Sequence, residues 1–234
     1  MISSVDNPTV KAIAKLRQKK YRDKEKKFVV EGEHIIEAAR EAGCLEAIYT
    51  VLDATPFDNA TRVSHHVMKK MTGAKHVAPM IGVCQLRFDD LVHDRVLLLE
   101  HIQDPGNMGT LLRSALAFGF KTVVLDRAVD LTNPKVIRAT QGALFALSFV
   151  FMDAASFNDA YSDHTLIATL PKGDPIDTLK TVRGPLALML GNEGSGLSES
   201  TLNRADYTVS IPTEGVESLN VGVAGSILMH YVRH

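Results

Sequence analysis

The chain has 234 residues, enough to bury a substantial core as one large domain or two small ones. Hydrophobic residues make up 45 % and charged residues 23 %, ordinary for a soluble globular protein, and no apolar run reaches the ~18 residues of a membrane helix. The net charge of −1 hides an asymmetry: residues 11–27 hold nine Lys or Arg against two acidic residues, a local +7 that leaves −8 on the rest. Such a segment suits a local polyanion contact, or is equally a solvated helix face. Lys19, Lys20 and Arg22 are its candidates for phosphate. The start, "MISSVDNPTVK", lacks the apolar core of a secretion signal. Cys44 and Cys84 fit neither a CxxC pair nor a metal-ligand spacing, so they read as reduced packing residues of a cytoplasmic protein.

In chain order, "DNPTVKAIAKLRQKK" predicts a helix with Asp6 or Asn7 as N-cap and Pro8 near the first position. A strand "KFVVEG" follows, then a helix "EHIIEAAREAG" closed by Gly43. "LEAIYTVL" predicts a strand, "HHVMKKMTG" a short helix and "MIGVCQLR" another strand. This small α/β unit ends near residue 88, and "FDDLVHDR" reads as a polar linker.

A second pattern begins at Arg95. "RVLLLEHI" is a continuous apolar run, as in a parallel strand covered on both faces. Helix "NMGTLLRSALAFG", strand "KTVVLD", helix "NPKVIRATQGALF" and strand "ALSFVFM" come next. A short helix "SFNDAYSD" and strands "TLIATL" and "PLALML" lead to the loop "GNEGSG". Helix "LSESTLNRA", strand "DYTVSI" and the closing helix "SLNVGVAGSILMHYVRH" finish the chain. The alternation predicts an α/β fold, a mostly parallel sheet with helices on both faces at residues 95–234, preceded by the small unit at 1–88.

Several chemistries lack their signatures. There is no G-x-G-x-x-G, Walker loop, HExxH or G-x-S-x-G, and the nine histidines form no ligand-spaced cluster, so no metal site is expected. Three stretches remain. In the first, Arg113 follows Asn107 on a helix with Leu111, Leu112 and Leu116; a guanidinium after a strand's carboxyl end suits an anion, or it snorkels to solvent. In the second, Gly191, Gly194 and Gly196 surround Glu193, which marks either a close approach to a ligand or a tight turn with a solvated carboxylate. In the third, Ser218 and Asn220 start a helix of small residues, whose end offers free N–H groups or only a serine N-cap.

"DPGNMGTLLRSALAFG", "LMLGNEGSGLSE" and "IPTEGVESLNVGVAGSIL", in this order, resemble the three signature motifs of the SpoU/TrmH-type RNA 2′-O-ribose methyltransferases of the SPOUT superfamily. The front segment "NPTVKAIAKLRQKKYRDKEKKFVVEGEHIIEAA" is similar to their accessory RNA-binding domain, which is related to a ribosomal-protein fold. The resemblance implies S-adenosylmethionine as methyl donor, a deep C-terminal trefoil knot and a cytoplasmic homodimer whose active sites use both protomers. It places Asn107, Arg113, Glu193, Ser218 and Asn220 at the catalytic positions. It places the donor against Thr169, Leu170, Gly191, Asn192, Glu193, Gly196, Ile211 and Leu219. Ribosomal RNA is the expected substrate, favoured over transfer RNA; a catalytically silent RNA-binding protein is the rival. In the closing helix, Gly222, Ala224, Gly225 and Ser226 permit close approach, and Ile227, Leu228, Met229 and Tyr231 are expected to supply area for a partner.

Overall fold

The computed structural model describes residues 1–73 and 77–233, and the final residue of the expected closing helix, His234, lies outside them. Two compact units divide the chain: residues 1–87 with 131–145, and residues 88–130 with 146–234. The first therefore takes in a stretch that sequence placed in the second half.

In the first unit, Asn7 caps α1 (Pro8–Lys15) by accepting from the Thr9 N–H at 2.9 Å, with Pro8 where no intrahelical donor is needed. The expected single basic helix is broken. Gln18 is extended, and a second helix, α2 (Lys19–Glu25), starts after it. The Arg22 guanidinium donates to the carbonyls of Leu16 and Arg17 at the break, at 3.1 and 3.0 Å. It thereby satisfies acceptors that a terminating helix leaves open. Then come β1 (Lys27–Glu31), α3 (Glu33–Glu41), β2 (Leu45–Thr50), β3 (Thr61–Arg62), α4 (His65–Thr72) and β4 (Met80–Gln85). Among the described residues the sheet order is β1-β4-β2-β3, with β4 antiparallel to both neighbours. Val10, Ile13 and Leu16 pack with Val67, Met68 and Met71, so the apolar stripe of α1 is met by that of α4.

The second unit is built on six parallel strands among the described residues. These are β5 (Arg95–Glu100), β6 (Thr122–Asp126), β7 (Ser148–Phe151), β8 (Thr165–Pro175), β9 (Leu186–Leu190) and β10 (Tyr207–Ser210), in the order β10-β8-β9-β5-β6-β7. β8 runs five residues beyond its expected end and pairs with β10 through an irregular register. Two strands follow β5 on one side and the later ones lie on the other, so the order reverses between β5 and β9. In open parallel sheets, ligands bind beyond the carboxyl ends at such a reversal.

Helices of this unit are α5 (Pro105–Ala117), α7 (Ala154–Ala160), α8 (Glu199–Leu202) and α9 (Val221–Tyr231). Met189 of β9 packs with Phe157 of α7 and Leu197, whereas the next residue, Leu190, sits against Gly225 of α9. Successive strand residues thus meet helices on opposite faces.

Two expectations are corrected. "FDDLVHDR" is not a free linker: the Asp89 carbonyl accepts from Phe149 N–H at 2.7 Å, and the Phe88 ring lies 5.0 Å from that of Phe149. The helix expected through Phe145 stops as α6 (Pro134–Thr140), because Gln141 and Gly142 both turn left-handed, at φ 50° and 91°. A 3-10 turn at Ala143–Ala146 follows. Within the first unit, α6 lies on β1 and the Phe145 ring stacks 6.2 Å from that of Phe28.

Candidate active site

The carboxyl end of β9 runs straight into the glycine-rich loop. Gly191 is buried, and a Cβ there would fall 2.2 Å from backbone atoms of Gly196 and Leu197. No other residue can occupy the position without moving the loop. Asn192 and Gly196 exchange backbone hydrogen bonds of 3.0 and 2.9 Å, closing the turn, and Gly196 takes φ 70°. The Asn192 side chain holds it from inside. Its Oδ1 accepts from the N–H groups of Gly194 and Ser195, and its Nδ2 donates to the His101 carbonyl at 2.9 Å.

Glu193 is thereby delivered to the start of α5. Its carboxylate accepts from the Asp104 N–H at 3.1 Å, the Gln103 N–H at 3.4 Å and Asn107 Nδ2 at 3.1 Å. Partial burial pushes this carboxyl upward, but the hydrogen bonds from Asn107 and from backbone N–H groups outweigh it and hold it below the ordinary value. Glu193 is therefore an anion at neutral pH and a weak base. Asn107, with its amide donor spent on Glu193, accepts from Asn220 Nδ2 at 2.9 Å through its own oxygen. Asn220 Oδ1 accepts from the Gly222 and Val223 N–H groups, capping α9. One hydrogen-bonded chain, Glu193–Asn107–Asn220, thus joins three segments remote in sequence.

These groups border an open cleft of about 570 Å³. It is lined by Thr169 and Leu170 from β8, the loop residues Gly191, Asn192, Glu193, Gly194 and Gly196, and Ile211, Ser218, Leu219 and Asn220. Leu190, Val209 and Leu228 supply an apolar wall. A cleft of this size, lined in about equal share by polar and apolar groups, suits a nucleoside-sized ligand. S-adenosylmethionine, the donor that the resemblance implies, fits it: the lining offers apolar side chains for an adenosyl group and fixed polar groups beside them.

All eight residues expected at the donor site line this cleft, as do Asn107, Ser218 and Asn220. Arg113 does not. It is exposed on α5, and Leu116, expected on the apolar face with Leu111 and Leu112, is exposed as well. Ser218 is not the helix cap; Asn220 is. Leu228, expected to meet a partner, is 1 % exposed within the chain. The outward apolar residues are Leu116 of α5 with Val223 and Ile227 of α9. Gln103 and Asp104 were missed as Glu193 partners; Asp104 also caps α5 through Asn107 N–H at 2.8 Å, and Asp before Pro105 is a legible helix start.

Of the basic candidates in the first unit, Lys19 is exposed and pairs with Asp23 at 2.7 Å, and the Lys20 ammonium lies 4.8 Å from the Tyr21 ring centre. Arg22 is corrected: it is 5 % exposed, and its guanidinium bonds Thr132 Oγ1 at 2.9 Å besides the two carbonyls. It holds the first unit together instead of facing phosphate.

The fold and cleft define an α/β domain with a nucleoside-sized ligand site at the reversal of a parallel sheet. Residues 94–230 match the SpoU rRNA Methylase family, and residues 7–82 match the MRM3-like substrate binding domain. The chain belongs to the SpoU rRNA methylase family. It is 34 % identical to the 23S rRNA (guanosine(2553)-2′-O)-methyltransferase of Bacillus subtilis over 99 % of this chain and 98 % of that one. It is 33 % identical to the 23S rRNA (uridine(2479)-2′-O)-methyltransferase of Streptomyces viridochromogenes over 68 % of this chain and 61 % of that one. An AdoMet-bound rRNA methyltransferase structure from Sinorhizobium meliloti superposes with a TM-score of 0.88 at 25 % identity, covering 99 % of this chain and 96 % of that one.

Proposed function

We propose that this protein transfers a methyl group from S-adenosylmethionine to the 2′-hydroxyl of a ribose in ribosomal RNA. The observation that carries the reading is the Glu193–Asn107–Asn220 chain at the mouth of the Gly191 cleft. It fixes three otherwise separate segments around one ligand-sized space.

S-adenosylmethionine, when bound, supplies an electrophilic methyl group. This chain supplies position and charge. The turn at Gly191 brings backbone against the ligand space, and anionic Glu193 sets the amide orientation of Asn107, which in turn sets that of Asn220. Positioning of this kind can account for ~7–11 kcal/mol of a barrier. A guanidinium is a poor base, so the role of Arg113 is to stabilise the developing alkoxide or the adjacent phosphate.

Arg113 lies outside the cleft of its own chain, on a helix that also exposes Leu116. Leu116, Val223 and Ile227 belong to two helices packed on each other, α5 and α9. We infer a two-fold homodimer through this face, in which Arg113 of one protomer serves the cleft of the other. The return of the chain from β10 at the sheet edge to α9 against α5 and β9 supports a trefoil knot over residues 191–231. The first unit serves as the RNA-capturing domain, with Lys19 and Lys20 toward phosphate, and the protein works in the cytoplasm. Among the described residues no helix is long and apolar enough to cross a membrane.

Incubation of the protein with S-adenosylmethionine and ribosomal or transfer RNA, followed by nucleoside mass spectrometry, tests the reaction. The expected product is a 2′-O-methylated nucleoside from ribosomal RNA. RNA binding without release of the demethylated donor would instead identify a silent binding protein.

A further inference from the structure

We propose a divalent metal site, of the class that takes Zn²⁺, formed by Glu100, His101 and Asp126 where β5 and β6 end. The two strands are in register there, Glu100 opposite Asp126, so both carboxylates leave the same face of the sheet. Glu100 is 4 % exposed and Asp126 is 8 % exposed. One ligand atom of each, together with one imidazole nitrogen of His101, lies within 4.8 Å of the others.

The second observation is the imidazole. Among the described residues, His101 Nε2 is the buried side-chain polar atom that makes no hydrogen bond. Native interiors seldom leave such an atom unpaired, and an unpaired imidazole in a cluster with two carboxylates is a donor set that a cation would use. His101 also adopts φ 58°, and Arg127, directly after β6, adopts φ 47°. Left-handed backbone in residues other than glycine gathers at functional sites.

The donor set, one imidazole nitrogen and two carboxylate oxygens, suits zinc better than magnesium, which favours oxygen alone. Three protein ligands leave a fourth position for water. Zn–N and Zn–O bonds of about 2.0–2.2 Å require the trio to draw together on binding. Arg127 now holds both Asp126 oxygens, at 2.9 and 3.1 Å, yet its side chain is 69 % exposed and can swing away without opening the core. The consequence reaches the active-site loop. Glu100 Oε2 accepts from the Ser198 N–H at 3.2 Å, and the His101 carbonyl accepts from Asn192 Nδ2 at 2.9 Å. A metal here would brace the loop at both ends.

The test needs no turnover. Chelator-treated full-length protein is titrated with ZnCl₂ by calorimetry and its melting temperature followed, with MgCl₂ in parallel and CoCl₂ for the visible spectrum. One equivalent of Zn²⁺ should bind, raise the melting temperature and, as Co²⁺, give a visible absorption band. His101→Gly, which relieves the left-handed backbone, and Asp126→Asn should each weaken Zn²⁺ binding by ~100-fold or more. His65→Ala, an exposed histidine of the first unit, should leave it unchanged. Where His101→Gly does not fold, Asp126→Asn decides alone. Wild-type protein that binds no Zn²⁺, Zn²⁺ binding equal to wild type in the folded variants, or a site that takes Mg²⁺ without His101 would each overturn the proposal.

Discussion

The carboxyl edge of the parallel sheet and the basic helices of the first unit place their polar groups in opposite ways. At the sheet edge, Glu193, Asn107 and Asn220 spend their side chains on one another, across 86 and 113 residues of sequence. On α1 and α2, Lys19 pairs with a neighbour four residues away and Lys20 lies over the next ring, both at the surface. The first arrangement is geometric and fails abruptly when one member is lost. The second is a matter of charge density and fails by degrees, with salt. Arg22 shows that the boundary is not drawn by composition, since it belongs to the basic run yet is held like a member of the first class.

The largest effect that sharpens this contrast is expected at Gly191. Gly191→Ala forces backbone at Gly196 and Leu197 to move, and overpacking of this kind costs ~1–3 kcal/mol. Calorimetry should show donor binding lost and methyl transfer abolished; a variant with normal donor affinity would mean the loop is not part of the site. Next is Arg113→Ala. Loss of a preorganised charge is expected to slow methyl transfer by about 10²-fold or more with donor affinity unchanged. Mixing Arg113→Ala with Gly191→Ala protein should restore part of the activity if the two groups act across a dimer, and Ile227→Glu should yield a monomer by light scattering and abolish it.

Glu193 comes third. Glu193→Gln and Asn107→Ala should each weaken transfer, and together should cost less than their sum, with a coupling of ~1–3 kcal/mol. The sign of the pH dependence follows from the lowered carboxyl. Its contribution is present above the unfolded-state value and fades only as pH falls through the lower folded value. Thermal melts from pH 7 down to 3 should show wild type losing stability relative to Glu193→Gln only at the acid end.

The smallest effect is on the basic segment. Neutralising Lys19 and Lys20 together should weaken RNA binding and reduce its salt slope by about two. Arg22→Ala should lower the melting temperature instead, because buried hydrogen bonds from a charged group contribute about 1.5–3 kcal/mol each. An Arg22→Ala protein of normal stability and reduced salt slope would return that residue to the RNA surface.

What could be read in advance follows the same division. Apolar runs such as "RVLLLEHI" and proline-started helices carry their signals locally, so β5 starts at Arg95 and α1 and α6 start at Pro8 and Pro134, as expected, although both helices end early. The breaks after Leu16 and Thr140 did not show, because they are set by a guanidinium reaching back and by two successive left-handed residues. The motif residues pointed to the cleft, but not to the N–H groups of Gln103 and Asp104 that Glu193 uses, some ninety residues away. Charge counting likewise found the segment containing Arg22 but could not see Thr132, 110 residues on, which helps bury it. The sheet-end cluster of Glu100, His101 and Asp126 has no sequence spacing at all, since neighbouring strands create it.

The reaction is tested most directly by methyl transfer to ribosomal RNA from isotopically labelled S-adenosylmethionine, read as nucleosides by mass spectrometry for wild type and Gly191→Ala. Label is expected on the 2′-oxygen of a ribose, with wild type only. Label on a base, or equal labelling by both proteins, would contradict it.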